Sequence, residues 1–203
     1  MRSDSIDKFQ GELYPPDDSA PYTNWTISRY CWETIRLLLN PAGATLECGS
    51  GLSTLLFDAV GCRHTALEHD PNRCAASSSV CLAPLVGDPQ WYDWVPTSQF
   101  DLIFIDGPPG RIGRSGIRRH IRTMMHDETI VILDDTNRLA EHRLCRQLAE
   151  DLLLDGLGFQ GHSRSFSILW PRNSRQAQSI RNQLSSYPTL PLEIRPHPYV
   201  MSE

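Results

Sequence analysis

Phe100-Asp101-Leu102-Ile103-Phe104-Ile105-Asp106-Gly107-Pro108-Pro109-Gly110 is the stretch that decides the architecture. Leu102 to Ile105 is unbroken in apolar character, the pattern of a strand covered by helices on both faces, as in a parallel sheet. Gly107-Pro108-Pro109-Gly110 stops it abruptly, because proline cannot donate to a strand ladder. Upstream, Ala44 to Cys48 reads as a strand, followed by the turn Gly49-Ser50-Gly51 and a helix from Leu52 to about Val60. His64 to Glu68 is a second strand, Asn72 to Ser79 a Ser-rich helix, and Cys81 to Val86 a third strand whose Pro84 suits an edge. Downstream, Ile117, Ile121, Met124 and Met125 mark one face of a helix, and Thr129 to Leu133 is the fifth strand. A helix from Leu139 to about Leu154 turns Leu144, Leu148 and Leu152 inward, and Phe166 to Trp170 is the last strand. This alternation specifies an open α/β sandwich with a mostly parallel sheet and right-handed crossovers.

The flanks differ from this body. Residues 1–26 are polar and proline-containing and read as an extended lead-in. Within it, Tyr22-Thr23-Asn24-Trp25 either folds over a ligand as a lid or anchors the first helix. That helix carries Ile27, Tyr30, Cys31, Ile35, Leu38 and Leu39 at helical spacing, with Thr26 as N-cap and Asn40-Pro41 as stop. Residues 27–171 form the main domain, and 172–203 a proline-rich tail with one short helix, Ser174 to Leu184.

A net charge of -5 disfavours bulk nucleic-acid binding, which needs Lys and Arg to neutralise phosphates. The six cysteines form no Cys-x-x-Cys pair and read as reduced structural thiols of a cytoplasmic protein. The N-terminus lacks the apolar stretch of a signal peptide, and no run approaches the ~20 apolar residues of a membrane span.

In an open parallel sheet, ligands bind beyond the carboxyl ends of the strands. Glu47, Glu68, Asp106 and the pair Asp134-Asp135 end the predicted strands, and Asp88 lies just past the third. Glu47-Cys48-Gly49-Ser50-Gly51-Leu52-Ser53-Thr54 forms a strand-to-helix turn, where glycines admit a ligand to the backbone and the helix start offers free N–H groups. Thr54 stands where a dinucleotide fingerprint has its third glycine, and Glu47 would repel a diphosphate while welcoming an ammonium. Glu68 follows about 20 residues later, the spacing at which an acid grips ribose hydroxyls. Together these features suit S-adenosylmethionine, a nucleoside with a cationic amino-acid tail.

With these residues in view, Ala44 to Trp170 resembles the class I S-adenosylmethionine-dependent methyltransferases. The likeness is greatest to a small bacterial branch with a Glu-x-Gly-Ser-Gly-x-Ser-Thr first motif and Asp-Gly-Pro-Pro-Gly after the fourth strand. The resemblance implies a Rossmann-like, doubly wound sheet whose last strand, Phe166 to Trp170, is antiparallel. It implies that Glu47, Gly49 and Gly51, with Ser50 and Ser53 of the same turn, surround the methionine part. It further implies that Glu68 holds the ribose and Asp88 lies near the adenine amino group. Trp91 or Tyr92 stacks on the adenine or belongs to the core.

Asp106, Asp134 and Asp135 are the expected catalytic set. Three converging carboxylates repel one another unless a cation or proton intervenes, and Mg²⁺ or a similar divalent ion is one candidate. Catechol O-methyltransferase-like enzymes place an Asp and an Asp-Asn pair around Mg²⁺ at these points. Here Asp135 replaces the Asn, and that family's lysine base is missing. The alternative is that Asp134 or Asp135 caps the next helix. Without a metal, Asp106 is the base, ahead of His69 and His120. Arg118, Arg119 and Arg122 read as a solvated face. Arg111 and Arg114 are expected to hang over the site and, with Arg138, to hold an anionic acceptor such as a uronate or phosphate. The expected activity is O-directed methyl transfer to a small polar or sugar-like molecule, with a homodimer as one candidate assembly and without membrane or nucleic-acid partners. A non-catalytic cofactor-binding scaffold and a nicotinamide-dependent oxidoreductase are the competing readings.

Overall fold

Alternate residues of the central strands pack into two separate apolar clusters, so the sheet has a helical layer on each face. The computed structural model describes residues 27–96, 98–160, 164–185 and 189–190. Its strands begin with β1 (Ala44–Cys48), β2 (Arg63–Glu68) and β3 (Val80–Leu82), followed by a separate antiparallel hairpin of β4 (Leu85–Val86) and β5 (Trp91–Tyr92). The main sheet continues with β6 (Phe100–Ile105), β7 (Met125–Leu133), β8 (Leu154–Gln160), β9 (Ser165–Pro171) and β10 (Thr189–Leu190). Their order across the sheet is β10-β8-β9-β7-β6-β1-β2-β3. Strands β3, β2, β1, β6 and β7 are mutually parallel, and β9 runs antiparallel to both its neighbours, as expected for Phe166 to Trp170.

On one face Leu46, Cys48, Ile103, Ile105, Val131 and Leu133 pack against the helix Leu139–Asp151 through Leu144, Cys145 and Leu148. On the other, Leu102, Phe104, Ile130, Ile132, Ile168 and Trp170 meet three helices. These are α1 (Arg29–Leu38), α2 (Leu52–Val60) and, beyond α3 (Ile121–Met124) and α4 (Leu139–Asp151), α5 (Ala177–Leu184). Successive side chains of a strand point to opposite faces, so a continuous apolar run feeds both layers. Each fully buried aliphatic side chain contributes about 1.5–3 kcal/mol.

Helix α1 starts two residues later than the sequence suggests, with Ser28 Oγ accepting from Cys31 N at 3.2 Å; Thr26 lies outside the described residues. The tail helix is shorter than expected but buries Ile180 and Leu184 in the same cluster as Ile35 and Trp170. Strand β10 pairs with β8. The lead-in and its Tyr22–Trp25 segment lie outside the described residues.

Five elements differ from the sequence reading. Strand β8 is absent from it: Leu154-Asp155-Gly156-Leu157-Gly158 has low strand propensity, yet it pairs along its full length with β9, and Phe159 stacks on Phe166 at 4.8 Å. The helix expected to reach Leu154 ends at Asp151, and Leu153 turns left-handed at φ 54. Ile117, Ile121 and Met124 are buried together as their spacing demands, but on a 3-10 turn (Ser115–Arg119) followed by the single turn of α3. Gly116 presses against the β5 strand there, where a Cβ would lie 2.5 Å from Gln90 O. The Ser-rich helix at Asn72 to Ser79 is a 3-10 turn over Pro71–Arg73. The third strand is split at Ala83-Pro84 into β3 and β4.

Candidate active site

The carboxyl ends of β1, β2, β6 and β7 open into one cleft of about 1330 Å³. Because β9 is antiparallel, its start lies at this same edge and delivers Arg164 to the wall. The crevice thus sits where an open α/β sheet holds its ligands.

One side of the cleft is the glycine turn. Gly49 has φ 100, a conformation that favours glycine, and its N–H bonds Leu67 O at 2.8 Å. The turn after β6 lies directly against it. A Cβ on Gly107 would come within 2.9 Å of Gly49 Cα and 2.5 Å of Tyr92 Oη. Gly51 differs: a Cβ there meets nothing within 4 Å, and its backbone faces the open cleft with Gly49 and Ser50. Glu68 closes this side. Its Oε1 accepts from His69 N (2.6 Å) and Asp70 N (2.8 Å), and its Oε2 from Ser50 N at 3.2 Å. The acid expected to hold a ribose therefore also ties the end of β2 to the glycine turn. His69 Nδ1 lies 2.8 Å from Glu68 Oε1 but outside hydrogen-bond geometry, a close contact between side chains on the cleft wall.

Glu47 and Ser53 sit elsewhere than expected. Glu47 is 1% exposed and does not reach the cleft. Ser53 Oγ donates to its Oε1, Thr54 Oγ1 to its Oε2 at 2.7 Å, and His64 Nε2 lies 3.2 Å away. His64 is itself held by Thr45 Oγ1 at 2.8 Å and stacked on Phe57 at 4.4 Å. A carboxyl this buried is tolerated because its oxygens are satisfied. Glu47 and Ser53 thus support the glycine turn from beneath rather than lining the pocket. Asp88 is exposed and Trp91 belongs to the core, and neither lines the cleft. Of the two aromatic candidates, Tyr92 reaches the wall, with a buried hydroxyl that has no hydrogen-bond partner among the described residues.

The other side is the acid set. Asp106, Asp134 and Asp135 each offer an oxygen within 4.8 Å of the others. Asp106 and Asp135 line the cleft, and Asp134 lies behind them, 1% exposed. Asp135 adopts φ 59, which Asp and Asn tolerate better than other side chains. Neither aspartate caps α4, whose N-cap is Arg138. Burial first, then the neighbouring Asp134, raises the Asp106 carboxyl well above the usual carboxylate range. Burial and Asp135 raise Asp134 to about 6.

Arg114 lines the cleft, but at 4% exposure its guanidinium is turned to protein acceptors rather than hung over the site. Nη1 donates to Asp134 O at 2.8 Å, Nε to Pro108 O at 3.3 Å, and Nη2 to Asp106 Oδ1 at 3.2 Å and Asp135 Oδ2 at 2.9 Å. Arg138 Nη1 reaches the same Asp135 oxygen at 2.8 Å while its side chain stays 44% exposed. Arg111 is exposed on the cleft wall with no ion pair among the described residues. His120 is not part of this cleft.

No protein-family model matches the chain, and no curated protein matches it. Solved structures do. A precorrin-6y C5,15-methyltransferase from Geobacter metallireducens GS-15 superposes with TM-score 0.53 at 17% identity, over 77% of this chain and 95% of that one. An O-methyltransferase from Bacillus cereus in complex with SAH gives 0.53 at 16% identity, over 83% and 99%. A ribosomal protein L11 methylase from Lactobacillus delbrueckii subsp. bulgaricus gives 0.56 at 14% identity, over 77% and 84%. The fold is that of the class I methyltransferases. At these identities the likeness speaks for the architecture, while the site must be argued from its own residues.

Within this methyltransferase fold, the charged cleft residues that escaped the sequence reading include Glu141, Arg164 and Arg73. Glu141, in the first turn of α4, is 2% exposed, lines the cleft, and has a buried Oε1 with no hydrogen-bond partner among the described residues. It does not close a capping box, because Arg138 N bonds Asp135 O at 2.8 Å instead. The helical pattern gave no warning, since a Glu in a first turn is ordinary. Arg164 could be placed only once β9 was known to enter the sheet from the cleft edge.

Proposed function

We propose that this chain transfers a methyl group from S-adenosylmethionine to an oxygen of a small polar, sugar-like acceptor bearing an anionic group. The observation that carries this reading is the cleft itself. On a methyltransferase fold, it has a glycine turn and Glu68 on one side and acids with arginines on the other. Its 1330 Å³ exceeds the roughly 300–1,000 Å³ of a single-ligand pocket, leaving room for cofactor and acceptor together.

The residues present fit the cofactor. Gly51 leaves its backbone open to close approach, Glu68 Oε2 has one donor among the described residues and accepts further hydrogen bonds, and Tyr92 lines the same space. When bound, the cofactor supplies a methyl group already activated on a sulfonium. The protein's task is therefore alignment and proton management. Asp106, with 28% of its side chain exposed and its pKa raised by burial and then by Asp134, accepts the proton of the acceptor hydroxyl. Arg111 and the exposed part of Arg138 orient an acceptor carboxylate or phosphate, and Glu141 offers an acceptor oxygen to a further hydroxyl.

Isothermal titration with S-adenosylhomocysteine tests the reading. We expect one site of micromolar affinity and no heat with NADH. The absence of any adenosylhomocysteine binding would overturn the proposal.

A further inference from the structure

We propose that Arg114 is the resident cation of the acid site, standing where a divalent metal would otherwise neutralise Asp106 and Asp135. The proposal rests on the methyltransferase reading for its role in catalysis, though not for its geometry.

Three carboxyl groups with oxygens within 4.8 Å of one another resemble a site for a hard divalent ion. The guanidinium already occupies the space between two of them. Nη2 lies 3.2 Å from Asp106 Oδ1 and 2.9 Å from Asp135 Oδ2. A Mg²⁺ ion bonds oxygen at about 2.0–2.1 Å, so an ion shared by these two oxygens would lie against a permanently charged nitrogen. Asp135 Oδ2 also lies 2.8 Å from Arg138 Nη1 in an ion pair, so two guanidinium groups already converge on it. Two fixed positive groups thus oppose the acid set before any ion arrives.

Arg114 cannot step aside cheaply. Its other donors are committed to the carbonyls of Pro108 and Asp134, and swinging it out would strand buried backbone oxygens. Nor can it lose its charge, because guanidinium does not deprotonate in proteins. The residues present therefore do not fit a metal shared by Asp106 and Asp135.

A consequence for the acceptor follows. Chelation by a metal selects a pair of adjacent hydroxyls on the substrate. With a guanidinium held in that place, no chelating pair is required. A single hydroxyl beside Asp106 suffices, oriented by hydrogen bonds at the rim.

The test uses Mn²⁺ alone with the full chain, followed by electron paramagnetic resonance of the free ion. For the unaltered protein we expect no site tighter than about 1 mM. Arg114→Met should gain at least tenfold in Mn²⁺ affinity, and adding Asp106→Asn should remove the gain. Micromolar Mn²⁺ binding by the unaltered protein that Asp106→Asn abolishes would overturn the proposal, as would a folded Arg114→Met with no gain. Should Arg114→Met fold poorly, circular dichroism with and without Mn²⁺ decides. Folding restored by the ion supports the proposal, and indifference to it counts against it. Adenosylhomocysteine titration in parallel separates this outcome from failure of the methyltransferase reading, since either result can fail alone.

Discussion

Asp134 directly follows β7, with its Oδ1 buried and without a hydrogen-bond partner among the described residues. Burial, then Asp135, raises its pKa from 3.8 to about 6, against the smaller opposing pull of Arg114. A carboxyl whose pKa is higher folded than unfolded binds its proton more tightly in the native state. Its contribution to stability is therefore greatest below the unfolded pKa, near 4, and is lost as pH rises through 6. Asp134→Asn should be more stable than the unaltered protein at pH 8, by on the order of 2–3 kcal/mol, with the gap closing toward pH 4. Urea melts of both proteins across that range measure it, and a gap independent of pH would refute the assignment. The positions of Asp106, Asp134 and Asp135 were legible as strand-end acids. Their counter-charge was not. Arg114 lies eight residues past Asp106 in a loop, and nothing in its neighbourhood shows that its guanidinium turns inward rather than toward a substrate. That depends on where the carbonyls of Pro108 and Asp134 meet, a fact about two separate loops.

At the scale of elements, the turns after β1 and β6 behave as one unit, because Gly49 and Gly107 touch through their backbones. Two glycine substitutions separate support from binding. Gly107→Ala places a Cβ against Tyr92 Oη and Gly49, and overpacking of that kind costs about 1–3 kcal/mol. We expect a lower melting temperature and weaker adenosylhomocysteine binding together. Gly51→Ala meets no protein atom and has extended φ, so it should melt within about 0.5 kcal/mol of the unaltered protein. It should nonetheless lose affinity for adenosylhomocysteine, because its methyl points into space the ligand needs. Equal affinity in Gly51→Ala would show that the cofactor does not approach this turn. The turn was readable from residue order, whereas strand β8 was not. Gly156 and Gly158 weaken its intrinsic preference, and it exists because β9 supplies a full set of ladder partners.

For the whole molecule, binding and stability are linked. A ligand that binds only the folded chain stabilises it by about 2.7 kcal/mol at one hundred times its dissociation constant. For a chain of 203 residues this corresponds to a rise in melting temperature of roughly 5–10 °C. Differential scanning calorimetry with adenosylhomocysteine should show it; an unchanged transition at saturating ligand would contradict a cofactor site in the cleft.

The primary sequence by itself determined the parallel sheet, its two helical layers and the edge at which the strand-end acids gather. Those properties follow from the period and length of apolar runs and from the residues that stop them, which are local quantities. Only the tertiary structure decided which strand-end groups face the cleft. It withdrew Glu47 and Ser53 beneath the glycine turn, left Asp88 outside, buried Arg114 among the acids, and brought Glu141 and Arg164 to the wall. A side chain's role at such a site depends on which donors and acceptors from distant segments meet it, and that meeting exists only once the chain has closed on itself.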